Sequence, residues 1–523
     1  MGGFKLSLLS LFLSALCLVD GRRILRPLSE SAAYAGPDAS IEHSIVGRQT
    51  TSEDAHHKFL NRKTRRYAVN GRRIPEVKFD VGESYAGLLP ITNRTGEDRK
   101  LFFWFFPSEN PLAKDEITIW LNGGPGCSSL EGFLQENGPI SWQYGTFAPV
   151  RNPWSWTNLT NMVWVEQPVG TGFSQGKPSA TSEKDIAEQF LGFFRNFIDL
   201  FDLHGKKIYI SGESYAGYYV PYIADAMHAK KDKKYSNIQD ILIFDPSINE
   251  RAVLQQVPAV PFVDHWSHLF PLNQTTLKRI HDLADSCGYT EYMKTYLTYP
   301  PKGKLPQIPD SVTKNATCNL WQAIFDAASL VNPCFNIYHA SDTCPLLYDV
   351  LGFPGSFEYT PAGATVYFNR RDVQHAINAP RTNWSECSKQ DVFINRTDNS
   401  PPSSFTVIPS VIEKSPNGRT IIAHGDLDYI LMTNGTLLSI QNMTWNGGQG
   451  FSRPPTDPLV VPYHNINTLG AMAGAGVLGT TITERNLTYV ELLLTGHMGP
   501  QYNPSASYRV FEYLLGRIDS LSK

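Results

Sequence analysis

Ile208-Tyr209-Ile210-Ser211-Gly212-Glu213-Ser214-Tyr215-Ala216-Gly217 is the stretch on which the reading of the fold turns. A β-rich run leads into it, and Tyr219 to Met227, which follows, reads as a helix. A G-x-S-x-small element between a strand and a helix is a nucleophile elbow. The turn is so sharp that the residues two before and two after the serine must be small, here Gly212 and Ala216. It lifts the Ser214 Oγ out of the sheet and sets it near the positive end of the helix. The hexapeptide GESYAG also occurs at Gly82 to Gly87. There the chain runs on as Leu-Leu-Pro-Ile, a strand and not a helix, with no apolar strand before it. Context, not the string, selects Ser214 and sets Ser84 aside.

Outward from the elbow, Lys100 to Phe106 (KLFFWFF), Glu116 to Leu121 (EITIWL), Met162 to Val165 and Lys207 to Ile210 are short apolar runs, hence predicted strands. Ser182 to Phe201 places Ile186, Phe190, Phe193, Phe194 and Phe197 at helical spacing. Strand, helix, strand argues for a βαβ unit and a mostly parallel sheet. Arg419 to Ala423 and Leu487 to Leu494 read as later strands, and Thr468 to Thr481, apolar but Gly-rich, as a loop. Residues 250–370 are irregular and proline-rich and hold four cysteines; they read as an insertion stapled to itself above the sheet. The fold class is therefore α/β.

The N-terminus differs. Lys5 precedes the apolar run Leu6 to Val19, the length of a signal-peptide core and short for a membrane span. Residues 1–21 read as a signal peptide and 22–66, polar and Arg-rich with the pair Arg65–Arg66, as a propeptide or extended arm. Residues 67–523 form the main domain. Nine N-x-S/T sequons, at Asn93, Asn158, Asn273, Asn315, Asn383, Asn395, Asn434, Asn442 and Asn486, point to export and glycosylation. Of seven cysteines, Cys17 would leave with the signal peptide. The remaining six, Cys127, Cys287, Cys318, Cys334, Cys344 and Cys387, read as three disulfides of open connectivity. There is no CxxC pair, so neither a metal nor another cofactor is expected. A formal charge of −3 and a pI near 6.5 call for no nucleic acid or anionic membrane.

In the order of the α/β-hydrolase fold an acid and a histidine follow the serine, each on a loop after a late strand. Asp426 fits the acid, in the turn His424-Gly425-Asp426-Leu427-Asp428 after the Arg419 to Ala423 strand; Asp428 is its rival, as the acid with Asp426 as a turn-former. His497 follows the last strand. A serine hydroxyl needs an imidazole to take its proton, and the acid holds that imidazole in the right tautomer. Backbone donors for the oxyanion are worth roughly 3–4 kcal/mol each. Tyr215 N–H is one; Trp120-Leu-Asn122-Gly123-Gly124-Pro-Gly-Cys-Ser-Ser is the glycine-rich loop for the other.

WLNGGPGCSS, QPVGTGFS (167–174), ISGESYAGYYVP (210–221), HGDLD and GHMGPQ (496–501) stand in the order found in the serine carboxypeptidases, which this chain resembles from about Pro75 to its end. DPSIN (245–249) and MTWNGGQGF (443–451) resemble the extracellular fungal branch. The resemblance implies the triad Ser214, Asp426 and His497, with Asp426 favoured over Asp428, and oxyanion donors at Gly124 and Tyr215. It implies that Asn122, Gly123, Glu136 and Glu213, with Trp120 nearby, bind the substrate's terminal carboxylate, the glutamates best when protonated. It pairs Cys127 with Cys387, leaving 287–318 and 334–344. The activity implied is release of C-terminal residues from peptides at acidic pH by a secreted enzyme, with peptide or protein C-termini as partners and no transmembrane segment. Acyl transfer or ester cleavage on the same scaffold, and an inactive binding protein, are the competing readings. The sequence departs from the family at Asp245-Pro246-Ser247, expected to reshape a substrate pocket, and at Gly499. Tyr429-Ile430-Leu431 stand where some relatives have a cysteine, so sensitivity to thiol reagents is not expected.

Overall fold

In the computed structural model, residues 57–464 and 474–523 are described. The signal-peptide reading and most of the arm fall outside them. The end of the arm does not: Phe59 packs edge-on to Phe105 and Phe201, and the Lys58 and Phe59 amides donate to the Glu83 carboxylate. The packed domain thus begins before position 67.

Among the described residues eleven strands form one sheet. In chain order they are β1 (Ala68–Val69), β2 (Ser84–Pro90), β3 (Lys100–Phe106), β4 (Glu116–Leu121), β5 (Met162–Glu166) and β6 (Lys207–Glu213). β7 (Ile238–Phe244), β8 (Thr420–Gly425), β9 (Asp457–Val461), β10 (Gly476–Glu484) and β11 (Leu487–Leu492) complete it. The spatial order is β1-β2-β3-β5-β4-β6-β7-β8-β11-β10-β9. The six strands from β5 to β11 run parallel, and antiparallel strands extend both edges. Alternation along β3 sends Phe102, Trp104 and Phe106 to one core and Leu101, Phe103 and Phe105 to the other. Helix α1 (Glu183–Phe201) covers the second face with Phe190, Phe193, Phe194 and Phe197, the stripe its spacing predicts. Tight burial on both faces is why the parallel strands read as unbroken apolar runs.

Two expectations need correction. Residues 476–481 are not loop but the start of β10, paired with β11 through Thr481 and Val490. Glycine has little strand propensity, but at Gly479 a Cβ would lie 2.1 Å from the Glu491 carbonyl, so the close pairing requires it. Residues 468–473 lie outside the described ones. The insertion, between β7 and β8, is helical in its first part, with helices at Ala259–His265, Gln274–Ser286, Tyr289–Tyr296 and Leu320–Val331, while residues 332–366 keep the irregular character expected of it. They enclose their own core of Val263, Ile280, Leu320 and Ile324, joined by Tyr429 and Met432 from beyond β8. Disulfides join Cys287 to Cys318 and Cys334 to Cys344 within it, and Cys127 to Cys387 across the molecule. These are the pairs the resemblance implies.

Parallel register sets the site. Leu121 pairs with Gly212, Glu213 with Phe244, Phe244 with Ala423, and Gly425 with Leu492. The loops that follow β4, β6, β7, β8 and β11 therefore leave from one edge of the sheet, the carboxyl edge where α/β proteins bind ligands.

Candidate active site

Ser214 joins β6 to helix α2 (Ala216–Lys230) with φ 61°, a left-handed conformation that costs a serine about 1–2 kcal/mol. The bends around it hold it there. Ser214 N–H donates to Phe244 O (3.0 Å), and Ser214 O accepts from the amides of Gly217 and Ser247, both at 2.9 Å. A Cβ at Gly212 would meet Leu121 O at 2.3 Å, and one at Gly217 would meet Ser247 O at 2.4 Å. The small-residue requirement thus extends to a third position, set by the loop after β7.

The glycine-rich loop after β4 lies directly on this elbow. A Cβ at Gly123 would stand 2.3 Å from Tyr215 N, and Gly124 has φ 110°. The loop is anchored by the Cys127–Cys387 disulfide and by bonds from Ser128 N to Glu386 O (2.7 Å) and Ser388 N to Gly126 O (2.8 Å). Beneath it, buried Glu166 accepts from the Ser128 hydroxyl, Phe173 N–H and Trp384 Nε1–H. Burial pushes that carboxyl up to about 7. The two amides proposed for the oxyanion, those of Gly124 and Tyr215, belong to these two adjoining segments.

The acid facing His497 is Asp428, not Asp426. His497 Nδ1 lies 2.6 Å from Asp428 Oδ2, and both residues are buried. Burial alone would raise the Asp428 carboxyl, but His497 and His424 outweigh it and hold it below its ordinary value. Asp426, the choice the resemblance favoured, is a turn-former: its amide donates to Leu492 O (3.1 Å) and its Oδ1 accepts from Thr495 N–H (3.2 Å). It closes the loops after β8 and β11 together, and burial pushes it up to about 7. His497 N–H donates to Tyr338 O (2.7 Å) from the insertion, and its Nε2 is buried without a partner.

Behind this pair stand two further groups whose place beside the triad the sequence reading did not give. Asp245 is fully buried, its Oδ1 accepting from Gly425 N–H (2.8 Å), and a carboxylate oxygen of it lies within 4.8 Å of Asp428 and His497. Asp245, within the Asp245-Pro246-Ser247 departure, therefore supports the loops beneath the triad. His424 directs Nε2 at Leu431 O (2.6 Å); a carbonyl only accepts, so this nitrogen carries the proton. Gly499 also has a reason: a Cβ there would meet the Phe244 ring at 2.5 Å.

Asn122 is the centre of the carboxylate-binding candidates. Its Oδ1 accepts from Trp120 Nε1–H (2.7 Å) and Gly132 N–H (3.3 Å), which turns Nδ2 toward three carboxyls. Nδ2 donates to Glu131 Oε2 (2.5 Å), Glu213 Oε1 (2.9 Å) and Glu136 Oε1 (3.3 Å). Gly132 is indispensable, since a Cβ there would meet Trp120 Nε1 at 2.2 Å. Burial first, then the neighbouring carboxylates, holds Glu136 and Glu213 well above the usual carboxylate range. Glu131, which no sequence pattern flagged, is also buried and is pushed up to about 7, chiefly by burial.

A serine carboxypeptidase family profile matches residues 75–517. Over 496 residues the chain is 68% identical to a probable serine carboxypeptidase of Arthroderma benhamiae, covering 93% of this chain and 92% of that one. It is 46% identical to serine-type carboxypeptidase F of Aspergillus niger, with 92% of each covered. The crystal structure of Kex1(delta)p, a prohormone-processing carboxypeptidase from Saccharomyces cerevisiae, superposes with TM-score 0.67 at 22% identity, over 88% of this chain and 98% of that one, and shows the shared fold. An α/β hydrolase with a serine elbow and a buried histidine–aspartate pair is the class these features define. Within that class the chain belongs to the serine carboxypeptidase family, and it is a serine-type carboxypeptidase hydrolase.

Proposed function

We propose that the protein is a secreted carboxypeptidase that removes C-terminal residues at acidic pH through an acyl-enzyme on Ser214. The carrying observation is the buried Glu136–Glu213 pair beside Asn122. A carboxyl that keeps its proton can donate a hydrogen bond to the carboxylate ending a peptide, and an ionised one would repel it. With that end held by Asn122, Gly123 N–H and the two glutamates, the preceding carbonyl reaches Ser214. The Ser214 Oγ attacks, His497 Nε2 takes its proton, and Gly124 N–H and Tyr215 N–H receive the oxyanion. His497 then gives the proton to the departing amine, and water, activated by the same imidazole, releases the acyl group from Ser214. Asp428 holds the Nδ1–H tautomer and stabilises the imidazolium.

A blocked dipeptide and its C-terminal amide, compared at pH near 4.5, test this. The free acid is expected to be the better substrate by about 100-fold or more in kcat/KM, the worth of one or two charge-assisted hydrogen bonds. Equal rates would remove the carboxylate site; an ester or acyl transfer proceeding alone would leave the serine chemistry and overturn peptide cleavage. Glu213→Gln keeps a hydrogen-bond donor at every pH. It should flatten the fall of kcat/KM as pH rises, and an unchanged pH profile would defeat the shared-proton account.

Stability should follow the same direction. Glu131, Glu166 and Asp426, each pushed up to about 7 mainly by burial, bind protons more tightly folded than unfolded. Their contribution is complete below the unfolded values near 4, and is lost as pH rises through about 7. Carboxyls held low, such as Asp185, Asp199 and Asp372, lose theirs only below that range. The Tm is therefore expected to fall between pH 4.5 and 7.5 in thermal unfolding scans; a level or rising Tm would contradict it.

Export rests on the signal-like N-terminus and the sequons. Asn93, Asn158, Asn273, Asn315, Asn383, Asn395 and Asn486 are exposed and suit glycans, whereas Asn434 and Asn442 are half-buried. Among the described residues no helix is long and apolar enough to cross a membrane. The domain plan is a removable signal peptide, an arm whose last residues pack on the enzyme, and one catalytic domain with its insertion.

A further inference from the structure

Residues 298–305 of the insertion are sewn to the helix Thr433–Asn442 and to the short hairpin that follows it. Gln441 Nε2–H donates to Thr298 O and Gln449 Nε2–H to Gly303 O, both at 2.7 Å. Lys304 Nζ donates to Asn442 O (2.6 Å) and to Thr444 Oγ1 (2.8 Å), and Leu305 N–H donates to Asn442 Oδ1 (2.9 Å). Asn442 and Thr444 are the acceptor and the hydroxyl residue of the sequon Asn442-Met443-Thr444. In the folded protein the insertion therefore engages both.

Beside this seam lies a cavity of about 540 Å³, with Asn442 itself in the wall. Its other walls come from separate parts of the chain: Tyr292 and Gln307 of the insertion, Glu250 just after β7, and Ser404 and Phe405 ahead of β8. Phe405 is 47% exposed, a large apolar face left uncovered. Aromatic faces with a few polar groups suit a sugar ring, which has C–H faces and a rim of hydroxyls. The bond from Leu305 fixes Oδ1 on one side of the planar Asn442 amide. It leaves Nδ2 on the other side, with no hydrogen bond among the described residues. That nitrogen is the atom that carries an N-linked sugar.

We propose that this cavity is the seat of a glycan on Asn442, whose first N-acetylglucosamine rings fill it and tie the insertion to the sheet. This rests on the glycosylation read from the sequons and sets this half-buried sequon apart from the exposed ones. The bond forms from Nδ2 to C1 of the first sugar. The amide gives up one proton, and the lipid diphosphate of a lipid-linked oligosaccharide donor leaves. Addition has to precede folding, because Lys304 and the Leu305 amide occupy the sequon afterwards. The fold then closes around the stem, while the outer sugars reach solvent. Oδ1 keeps its bond from Leu305 throughout.

The test uses the full chain secreted by a fungal host. It combines an endoglycosidase that cuts between the first and second N-acetylglucosamines with glycopeptide mass spectrometry at each sequon. On the folded enzyme the Asn442 glycan is expected to be cut about tenfold or more slower than those on exposed Asn93 and Asn383, and equally fast after denaturation. Asn442→Asp keeps an acceptor for the Leu305 amide but cannot carry the sugar. Its Tm should fall by about 2 °C or more, whereas Asn93→Asp should leave Tm unchanged. A glycan at Asn442 cut as fast as the one at Asn93 would overturn the seat. An unmodified Asn442 beside modified Asn93 and Asn383 would overturn it too, and leave the export reading standing. No sugar at any sequon would overturn both. If Asn442→Asp is not secreted, the cutting rates on wild type decide the matter.

Discussion

Ser214→Ala is expected to lower kcat on a blocked dipeptide by roughly 10⁶-fold, the loss typical of removing the nucleophile from a serine triad. Ser84→Ala, in the duplicate hexapeptide, should leave kcat within a few-fold of wild type. Ser84 is the first residue of β2, 1% exposed, with its Oγ accepting from Trp104 Nε1–H at 3.2 Å. Its loss leaves a buried indole N–H unpaired and should cost about 1–3 kcal/mol of stability, seen as a lower Tm. One chain thus provides two copies of the same six residues, one in a strand and one at a strand-to-helix turn. Chemistry should follow the turn. Comparable losses of kcat in the two variants would mean that the elbow is not the catalytic element.

The second large effect separates the two neighbouring aspartates. Asp428→Asn should reduce kcat about 10⁴-fold at unchanged fold, because an amide no longer fixes the His497 tautomer or stabilises its cation. Asp426→Asn should retain kcat within about tenfold, since that side chain accepts a backbone bond from Thr495 and does not touch the imidazole. Steady-state kinetics with circular dichroism on both proteins is sufficient. A collapse of kcat in the well-folded Asp426 variant, with Asp428→Asn active, would reverse the assignment.

The same two residues mark the limit of what the chain reveals before it is folded. Ser214 was legible because an elbow has a local signature of small residues between a strand and a helix. His497 was legible because it directly follows the last strong strand. The choice between Asp426 and Asp428 was not, since both lie on the same short turn. Which side chain goes under the imidazole is fixed by the register of β8 on β11 and by the bonds of Asp426, donated to Leu492 O and accepted from Thr495 N–H, contacts across many residues. Glu131 and Asp245 were hidden for a like reason: neither belongs to a periodic pattern, and their proximity to Glu136 and to His497 exists only after the strands align. The apolar runs gave the central strands, whereas the Gly-rich β10 was missed because its partner, and not its composition, makes it a strand.

Register also decides when the enzyme comes into being. Arg517 near the C-terminus bonds the Glu116 carboxylate, 401 residues earlier, and the disulfide beside the oxyanion loop spans 260 residues. β4 and β6 carry the nucleophile and its loop, but β11 and His497 leave the ribosome long after them. An emerging chain therefore holds a serine with no base, and long-range pairings of this kind form slowly. A hydrolase assembled this way has no base for its serine until the last parallel strand has been made and paired.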